Sequence, residues 1–356
     1  MTKLFIFYRD LRFEDNTSLD ELLGHCELKD VLFGCIEDNI LKTNKFVKDM
    51  FSSVIKSLSK AHNIKIHTFS NYKSIEQFIS SKPNIDTIAM NKNLLIYDTY
   101  QKNIINKFKN KQIICKEDYT LGCENDALNK SGTPYKIFTP FYRKYLKIVS
   151  KYITTAKLPS STTGNSVRNE AIETLLKSST NLKDYARSRN YPGLAVSTTQ
   201  IGKYLSYGVI SIREAASCYS KKSELLRQII CKDFYYFSYE HHKSILNKNS
   251  NSNNVISWNN STNFIKAGVR ELTTTGWVNN RLRMIIAMFL IKQRKINPLA
   301  VERWFGKHMI DYYESSNIGG VAWAVVQPEF KEFNYELQSK KYDPRGEYSS
   351  QILLKK

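Results

Sequence analysis

A change in hydrophobic periodicity along this chain limits the folds that it can adopt. Up to residue 116, short apolar runs rich in β-branched and aromatic residues alternate with amphipathic stretches of helical period. The runs predicted as strands are Leu4–Tyr8, Val31–Ile36, Ile64–Phe69, Ile85–Met90 and Gln112–Cys115. Because strands that alternate with helices build a parallel sheet covered on both faces, residues 1–116 predict an α/β, doubly wound domain.

Helices are predicted between the strands of the first domain and throughout the last part of the chain. Within the first domain, helices are expected at Asn16–His25, Lys45–Lys60 and Lys92–Phe108. Asn16 is a good N-cap, because its side-chain oxygen can accept a hydrogen bond from the first turn. Residues 117–165 are interrupted by Pro and Gly and predict a long connector. Beyond it the strand pattern disappears, so residues 166–356 predict a mainly α-helical second domain.

The composition favours a polyanionic partner and gives no sign of a metal or a membrane. The chain has 53 Lys and Arg against 33 Asp and Glu, a formal net charge of +20. Each cation that docks on a phosphate releases a condensed counterion, so this charge favours nucleic acid. The six cysteines are scattered without a C-x-x-C pair, which predicts free thiols and an intracellular protein. No run reaches transmembrane length, and no dinucleotide or Walker glycine pattern occurs.

One segment of the helical region has a composition that cannot form a packed core. Residues 247–263 hold eight Asn and four Ser. Such a sequence buries too little apolar surface to offset the loss of conformational entropy. We therefore predict a mobile loop over these residues.

A second segment, Gly276–Met284, combines side chains suited to a flat ligand. Helical spacing is expected to bring Trp277, Asn280 and Met284 onto one face, with Arg283 at its edge. An aromatic ring, an amide and a thioether on one face can line a pocket for a heterocycle. The residues alone favour an ordinary buried helix, with Arg281 and Arg283 in salt bridges, over a ligand pocket, and both interpretations stay open at this point.

Two further segments have both a ligand-binding and a structural interpretation. Asp311 can pair with a guanidinium, and Gly319-Gly320 permits close backbone approach to a ligand or simply ends a helix. Thr198 and Thr199 precede a helical pattern, where hydroxyl and N–H groups suit a phosphate or form a plain N-cap. The residues do not choose between these alternatives.

Several segments, in colinear order, resemble the photolyase/cryptochrome family, and most closely its class I cyclobutane pyrimidine dimer photolyases. They extend over nearly the whole chain, so the resemblance does not depend on one short motif. The matching segments are Phe7–Asn16, Tyr135–Phe141, Thr198–Glu214, Gln228–Tyr236, Thr275–Met284, Phe333-Asn334 and Lys341–Tyr348.

The resemblance implies an α/β domain followed by a helical domain that binds FAD. The residues that it places against FAD are Tyr185, Thr198, Thr199, Trp277, Asn280, Arg283, Asp311 and Asn317. Thr198 and Thr199 would contact the phosphates, and Arg283 and Asp311 would form an ion pair beside the isoalloxazine. Asn317 would face flavin N5, where an amide tunes the reduced cofactor.

The activity that the resemblance implies is light-driven repair of UV-damaged DNA. Reduced FAD would donate an electron to a flipped-out cyclobutane dimer. The residues expected at the lesion are Asn280, Met284, Trp323 and Gln228, and those expected on DNA phosphates are Arg189 and Arg281. Photolyases for (6-4) photoproducts place histidines on this helix. Here the adjacent pair His241 and His242 lies elsewhere and is interpreted as ordinary helix-end or loop residues, so a cyclobutane dimer is the expected lesion.

The chain departs from the family pattern at several positions. Val321 and Pro298 replace two tryptophans of the relay that re-reduces FAD, leaving Trp258 as a match only to the outer one. Cys231 stands where a lesion-stacking Trp is expected, followed by Lys232 instead of Arg, and Tyr313 replaces an Asp. Leu95 aligns with the carboxylate that contacts a folate antenna, so neither a folate nor a deazaflavin antenna is asserted.

Two other functions remain as alternatives to repair. One is a cryptochrome-like blue-light receptor, against which Asn317 argues, as does the end of the chain shortly after Tyr342 without a signalling tail. The other is a degenerate homologue that binds DNA through its positive charge. A monomer is expected in each case, as is usual in the family.

Overall fold

The structure is a computed structural model that describes residues 2–155, 158–181, 184–194, 197–219, 223–327 and 334–354. Phe333, from one of the matching segments, lies outside these residues. The chain forms two compact units. The first comprises Met1–Thr43, Lys48–Leu176 and Ile201–Phe237, and the second comprises Asn44–Val47, Lys177–Gln200 and Ser238–Lys356. The boundaries expected at residues 116 and 165 stay a prediction.

The first unit is built on a five-stranded parallel sheet. The strands are β1 Thr2–Phe7, β2 Val31–Ile36, β3 Ile66–Phe69, β4 Ile85–Lys92 and β5 Gln112–Glu117. Their order is β3-β2-β1-β4-β5, so the chain runs outward from β1 on one side and returns to build the other side. The five predicted strands and the doubly wound α/β architecture are confirmed: β1, β2 and β4 are mostly buried, whereas the edge strands β3 and β5 each have a single buried residue.

Helices flank the sheet and complete the first unit. They are α1 Thr17–Leu23, α2 Lys45–His62, α3 Tyr72–Ser80, α4 Lys102–Lys107, α5 Phe138–Thr155, α6 Ser166–Asn181, α8 Gly202–Tyr207, α9 Ile212–Ser217 and α10 Glu224–Phe237. The first residues of α2, up to Val47, and the last residues of α6, from Lys177, are assigned to the second unit. Asn16 caps α1 as predicted, since its side chain accepts from Leu19 N–H. The predicted helix Lys92–Phe108 is wrong only in its first residues. Lys92 belongs to β4 because it pairs with Glu117 on β5. Helical structure begins at Tyr97 with a π-helical turn, Tyr97–Gln101, that continues into α4.

The second unit is helical throughout its regular structure, as predicted for this part of the chain. Its helices are α7 Tyr185–Ser188, α11 Tyr239–Lys248, α12 Asn263–Thr275, α13 Asn280–Met288, α14 Pro298–His308, α15 Glu314–Val326, α16 Tyr335–Tyr342 and α17 Glu347–Leu354. Residues 249–262 of the Asn-rich segment contain no helix or strand. Asn263 instead begins α12, because Thr262 accepts from Ile265 N–H as its N-cap. In the described parts of the chain, every helix is too short or too polar to span a bilayer.

A buried ionic network fixes the loop after β1 in the first unit. The carboxylate of Asp118 is buried and accepts from Arg12, from Arg213 Nη2 at 2.8 Å and from the Thr17 hydroxyl at 2.7 Å. Burial opposes ionisation of this group, but the charges of Arg12 and Arg213 outweigh it and hold the pKa of Asp118 far below its usual value. Asp118 is therefore ionised at neutral pH and serves as the anion of the network.

The same loop needs a glycine at the end of α8. Gly208 adopts a left-handed conformation with φ of +67°, and a Cβ there would lie 2.3 Å from the Arg9 carbonyl oxygen. Leu11 N–H donates to the Tyr207 carbonyl at 3.0 Å beside it. The Arg9–Arg12 part of the opening motif and Gly208 of the third motif are thus explained by close packing.

Candidate functional site

The segment that joins α12 to α13 in the second unit is fixed from two sides. Gly276 ends α12 with φ of +79°, and its carbonyl accepts from Ile310 N–H at 2.7 Å. A Cβ at this position would lie 2.7 Å from the ring of Phe46. The close approach demands glycine and brings the α13 segment next to the turn that carries Asp311.

Arg283 and Asp311 meet across this junction. Arg283 Nη2 lies 3.0 Å from Asp311 Oδ2, and Arg283 Nε donates to the Val278 carbonyl at 2.9 Å. The side chains retain only 21% and 13% of their exposure, so water screens the pair less than a surface ion pair. The ion pair expected from the sequence is present, whereas its contact with FAD stays a prediction.

Asn317 lies buried in the second turn of α15 and is oriented by Glu302 on α14. Its Nδ2 donates to the Glu302 carbonyl at 3.0 Å and to Glu302 Oε1 at 2.9 Å. Both amide hydrogens are therefore used, which leaves Oδ1 as an acceptor. Burial raises the pKa of Glu302, while its hydrogen bonds from Asn317 and Tyr312 oppose that shift. Glu302 was missed by the sequence analysis.

The face predicted for Trp277, Asn280 and Met284 forms only in part. Asn280 is exposed in the first turn of α13, and its Nδ2 lies 3.8 Å from Met284 Sδ one turn later. Trp277 precedes the helix, because Asn279 is the N-cap and accepts from Arg281 N–H at 2.8 Å. Helical spacing therefore does not apply to Trp277, so the expectation that Trp277 lies on the helix is wrong, and its contact with a ligand stays a prediction.

The glycine pair and Trp323 lie within one helix. Gly319 and Gly320 are in the middle of α15, so the alternative that they end a helix is wrong. A Cβ at Gly320 would meet no atom within 4 Å, which leaves open space at that point. Val321 is buried and Trp323 is half-buried on the same helix. Trp323 is therefore available as a partly exposed aromatic surface.

Tyr185, Thr198 and Thr199 all belong to the second unit. Tyr185 begins α7, and the ring centroid of Tyr185 lies 5.7 Å from the Arg189 guanidinium carbon. Thr198 and Thr199 precede α8, whose N-cap residue is Ile201. The plain N-cap interpretation of the two threonines is thus wrong.

Arg189 and Arg281, expected on DNA phosphates, also belong to one unit. Arg281 in the first turn of α13 donates to Asn190 Oδ1, next to Arg189 in sequence. Burial and the nearby positive charge of Arg189 lower the pKa of Arg281. Two cations held close together favour an anion as ligand.

Gln228, expected at the lesion, belongs to the first unit and not to the unit of Asn280, Met284 and Trp323. On α10 its Nε2 donates to Glu224 Oε1 at 2.6 Å. Cys231 and Lys232 follow on the same helix, where Lys232 Nζ donates to the Tyr119 carbonyl at 2.9 Å. Lys232 thus makes a structural hydrogen bond within the first unit.

The two adjacent histidines are structural. They lie in the first turns of α11, where His242 is buried and its Nδ1 is 2.9 Å from the Ser238 carbonyl oxygen. Burial lowers the pKa of His242 to about 4, so it is neutral at physiological pH. Their interpretation as helix-end residues is confirmed.

The second unit offers polar groups that fit FAD. Among the buried polar atoms of this unit that have no hydrogen-bond partner within the described residues are Thr198 Oγ1, Asp311 Oδ1 and Ser315 Oγ. A buried polar atom without a partner is costly, and a bound ligand can supply what is missing. Hydroxyls suit phosphates and hydroxyl groups, and a carboxylate suits the N–H or O–H donors of a flavin nucleotide. No group of three His, Cys, Asp or Glu in the described parts is arranged to hold a metal.

The helical part of the chain matches a known family. The model for the FAD binding domain of DNA photolyase matches residues 225–353. That range contains Trp277, Arg283, Asp311 and Asn317, whereas Tyr185, Thr198 and Thr199 precede it. The chain therefore carries a flavin-binding domain of this type, and FAD is its cofactor.

Named relatives extend the similarity beyond that domain. A deoxyribodipyrimidine photo-lyase of Alkalihalophilus pseudofirmus is 26% identical over 96% of this chain and 85% of its own length. A deoxyribodipyrimidine photo-lyase of Buchnera aphidicola is 26% identical over 99% of this chain and 88% of its own length. The mitochondrial enzyme of Saccharomyces cerevisiae is 46% identical, but only over 23% of this chain and 15% of its own length.

Solved structures share the whole fold. An archaeal photolyase from Sulfolobus tokodaii, described with two FAD molecules, covers 99% of this chain with a TM-score of 0.77 and 24% identity. The match covers 90% of that chain. A cryptochrome from Synechocystis covers 99% of this chain and is matched over 88% of its own, with a TM-score of 0.80 and 19% identity. At such identities these similarities establish the fold.

Proposed function

Because this chain belongs to the photolyase/cryptochrome family, we propose that it repairs cyclobutane pyrimidine dimers in DNA with light and reduced FAD. The relatives named deoxyribodipyrimidine photo-lyase support the reaction class. The net charge of +20 supports a DNA substrate. We expect the protein to act as a monomer inside the cell.

The observation that carries the proposal is the orientation of Asn317. Glu302 uses both hydrogens of its amide, so the Oδ1 atom is the one available to a ligand. Facing flavin N5, this acceptor would hold a proton there and favour the reduced cofactor that repair requires. The chemistry supplied by bound FAD is donation of one electron under light, and the electron returns after the two cyclobutane bonds of the dimer have opened.

The other residues would bind and orient the reactants. The Arg283–Asp311 pair would lie beside the isoalloxazine, and the Thr198 hydroxyl would bind a phosphate. Asn280 and Met284, which lie one turn apart, would meet the flipped-out dimer together with Trp323. None of these three side chains is a general acid, which suits a reaction that needs no proton transfer to the lesion.

Two lesions in otherwise identical oligonucleotides test this assignment. Protein with chemically reduced flavin should repair a cyclobutane thymine dimer under blue light and leave a (6-4) photoproduct unchanged, because α13 presents an amide and a thioether and no histidine. The products are separated by chromatography. Repair of the (6-4) lesion would contradict the substrate assignment. Bound flavin without repair of either lesion would favour a light receptor.

The orientation of Asn317 gives a second expected result. Substitution Glu302→Leu removes the side-chain acceptor but keeps the backbone carbonyl, so the Asn317 amide is held by one hydrogen bond instead of two and can turn an N–H group towards the flavin. One hydrogen bond to a charged group is worth about 1.5–3 kcal/mol. Reoxidation of the reduced flavin in air should therefore become about tenfold faster, since 1.4 kcal/mol corresponds to about a factor of ten.

The control for Glu302→Leu is Arg303→Leu, an exposed neighbour on the same helix. Flavin absorbance after aeration measures the rate in both variants. Equal rates in Glu302→Leu and the wild type, at equal flavin content, would contradict the role given to Glu302.

A further inference from the structure

Arg281 is held in one orientation by a residue far away in sequence. Its Nε and Nη2 lie 3.2 and 2.6 Å from Asn190 Oδ1. The Asn190 amide is itself fixed, because its Nδ2 donates to the carbonyls of Ala186 and Arg187 at 3.2 and 3.4 Å. Both ends of the amide are therefore used, and its oxygen is directed at Arg281.

An aromatic ring covers one side of the same guanidinium. The Cζ atom of Arg281 lies 4.8 Å from the ring centroid of Tyr342, at the end of α16. The Tyr191 ring packs edge-on against Tyr342, with 5.5 Å between the centroids. A third cation, Lys341 Nζ, lies 5.5 Å from the Tyr342 ring centroid. The cation–π contact restricts Arg281 without using any of its N–H donors.

The positive charges of Arg281, Arg189 and Lys341 favour an anion as ligand. Arg281 has no carboxylate within ion-pair distance among the described residues, while Arg189 contributes a second positive charge beside it. A guanidinium has five N–H donors, and Asn190 uses two of them. The remaining three can make the two parallel hydrogen bonds by which arginine binds a phosphate.

We propose that Asn190 and Tyr342 are positioning residues, which hold Arg281 in place beside Arg189 and Lys341 to bind a phosphodiester of the DNA strand. The proposal rests on the proposed function and extends it to Asn190 and Tyr342, for which the family resemblance implied no such role. An arginine that is already ordered loses less side-chain freedom on binding. Asn190 and Tyr342 thus act on affinity through Arg281.

Four proteins test the proposal by DNA binding measured at several salt concentrations: the wild type, Arg281→Gln, Asn190→Ala and the double variant. The probe is a fluorescent oligothymidylate with one cyclobutane dimer. Arg281→Gln should bind about tenfold more weakly, with the salt slope reduced by about one. Asn190→Ala should bind roughly threefold to tenfold more weakly with an unchanged slope, because the charge remains.

The double variant separates positioning from a general loss of structure. It should bind no more weakly than Arg281→Gln, since Asn190 has nothing left to position. Tyr342→Leu should resemble Asn190→Ala, and Tyr342→Phe should restore binding because it keeps the ring. Asn249→Ala, which removes an exposed amide elsewhere in the second unit, is the control. Flavin content and melting temperature verify the fold of each protein.

The outcomes distinguish this inference from the proposed function. Wild-type affinity in Asn190→Ala, or additive effects in the double variant, would overturn the positioning role and leave repair intact. Absence of salt-dependent DNA binding in the wild type would overturn the proposed function and the inference together.

Discussion

Substitution Arg283→Leu is expected to abolish retention of FAD. It removes the only ion-pair partner that Asp311 has among the described residues. The other carboxylate oxygen of Asp311, Oδ1, already has no hydrogen-bond partner among these residues. Breaking a buried pair on one side costs about 3–5 kcal/mol, and the partial exposure of this pair places it near the lower limit. At about 3 kcal/mol the affinity for the cofactor falls by about two orders of magnitude.

The measurement is the ratio of flavin to protein absorbance after gel filtration. Arg303→Leu makes the same charge change at an exposed position and should keep its flavin. The double variant Arg283→Leu/Asp311→Asn should recover part of the loss, because no unpaired charge remains. Full flavin content in Arg283→Leu would show that the pair does not belong to the cofactor site.

Substitution Asp118→Asn should lower the free energy of unfolding by about 3–5 kcal/mol. The change leaves Arg12, which is buried, without its carboxylate partner and replaces a shared acceptor by an amide with donor hydrogens. Denaturant unfolding, followed by circular dichroism, measures the loss. Asp49→Asn on the exposed side of α2 is the matched control and should be close to neutral.

The same variant gives a pH dependence. The pKa of Asp118 in the folded protein lies below the value in the unfolded chain, so its stabilisation is present above about pH 4 and is lost as the pH falls further. The asparagine variant should lose this part of the acid dependence. An unchanged acid limb, or an unchanged free energy of unfolding, would contradict the role of the network.

The fold could be predicted from the sequence where burial dominates. The inner strands β1, β2 and β4 are apolar runs with β-branched residues, and their burial in a parallel sheet is what such runs require. The helix expected from Lys92 failed at its start because pairing of β4 with β5 outweighed the helical pattern. Trp277 failed for a related reason, since the N-cap at Asn279 excludes it from the helix.

The candidate site could be predicted where the family resemblance supplies its residues. Arg283 and Asp311 were expected to pair and do so. Glu302 was missed. It lies at helical spacing from Pro298 and Phe305, which are both buried, and an acidic residue on the apolar face of a helix is a sequence signal of a functional residue. Asn190 and Arg281 are 91 positions apart, so no local spacing could reveal their contact.

Some residues of the matching segments stabilise the fold and do not belong to the candidate site. Ser211 and Glu214 form a capping box at the start of α9, and Glu214 also pairs with buried Arg168. Arg213 donates to Asp118 in the buried network. These residues belong to one of the matching segments, yet their contacts lie within the first unit. A colinear match therefore identifies the family more securely than it identifies the functional residues.

The central claim is that this protein converts cyclobutane dimers to pyrimidines with light. The most direct test illuminates the purified protein with blue light, in the presence of reductant and dimer-containing oligothymidylate, and follows absorbance in the thymine band. We expect this absorbance to recover in the light and not in the dark, with more than one dimer repaired per protein. A protein that contains reduced FAD and binds the oligonucleotide, but restores no absorbance in the light, would contradict it.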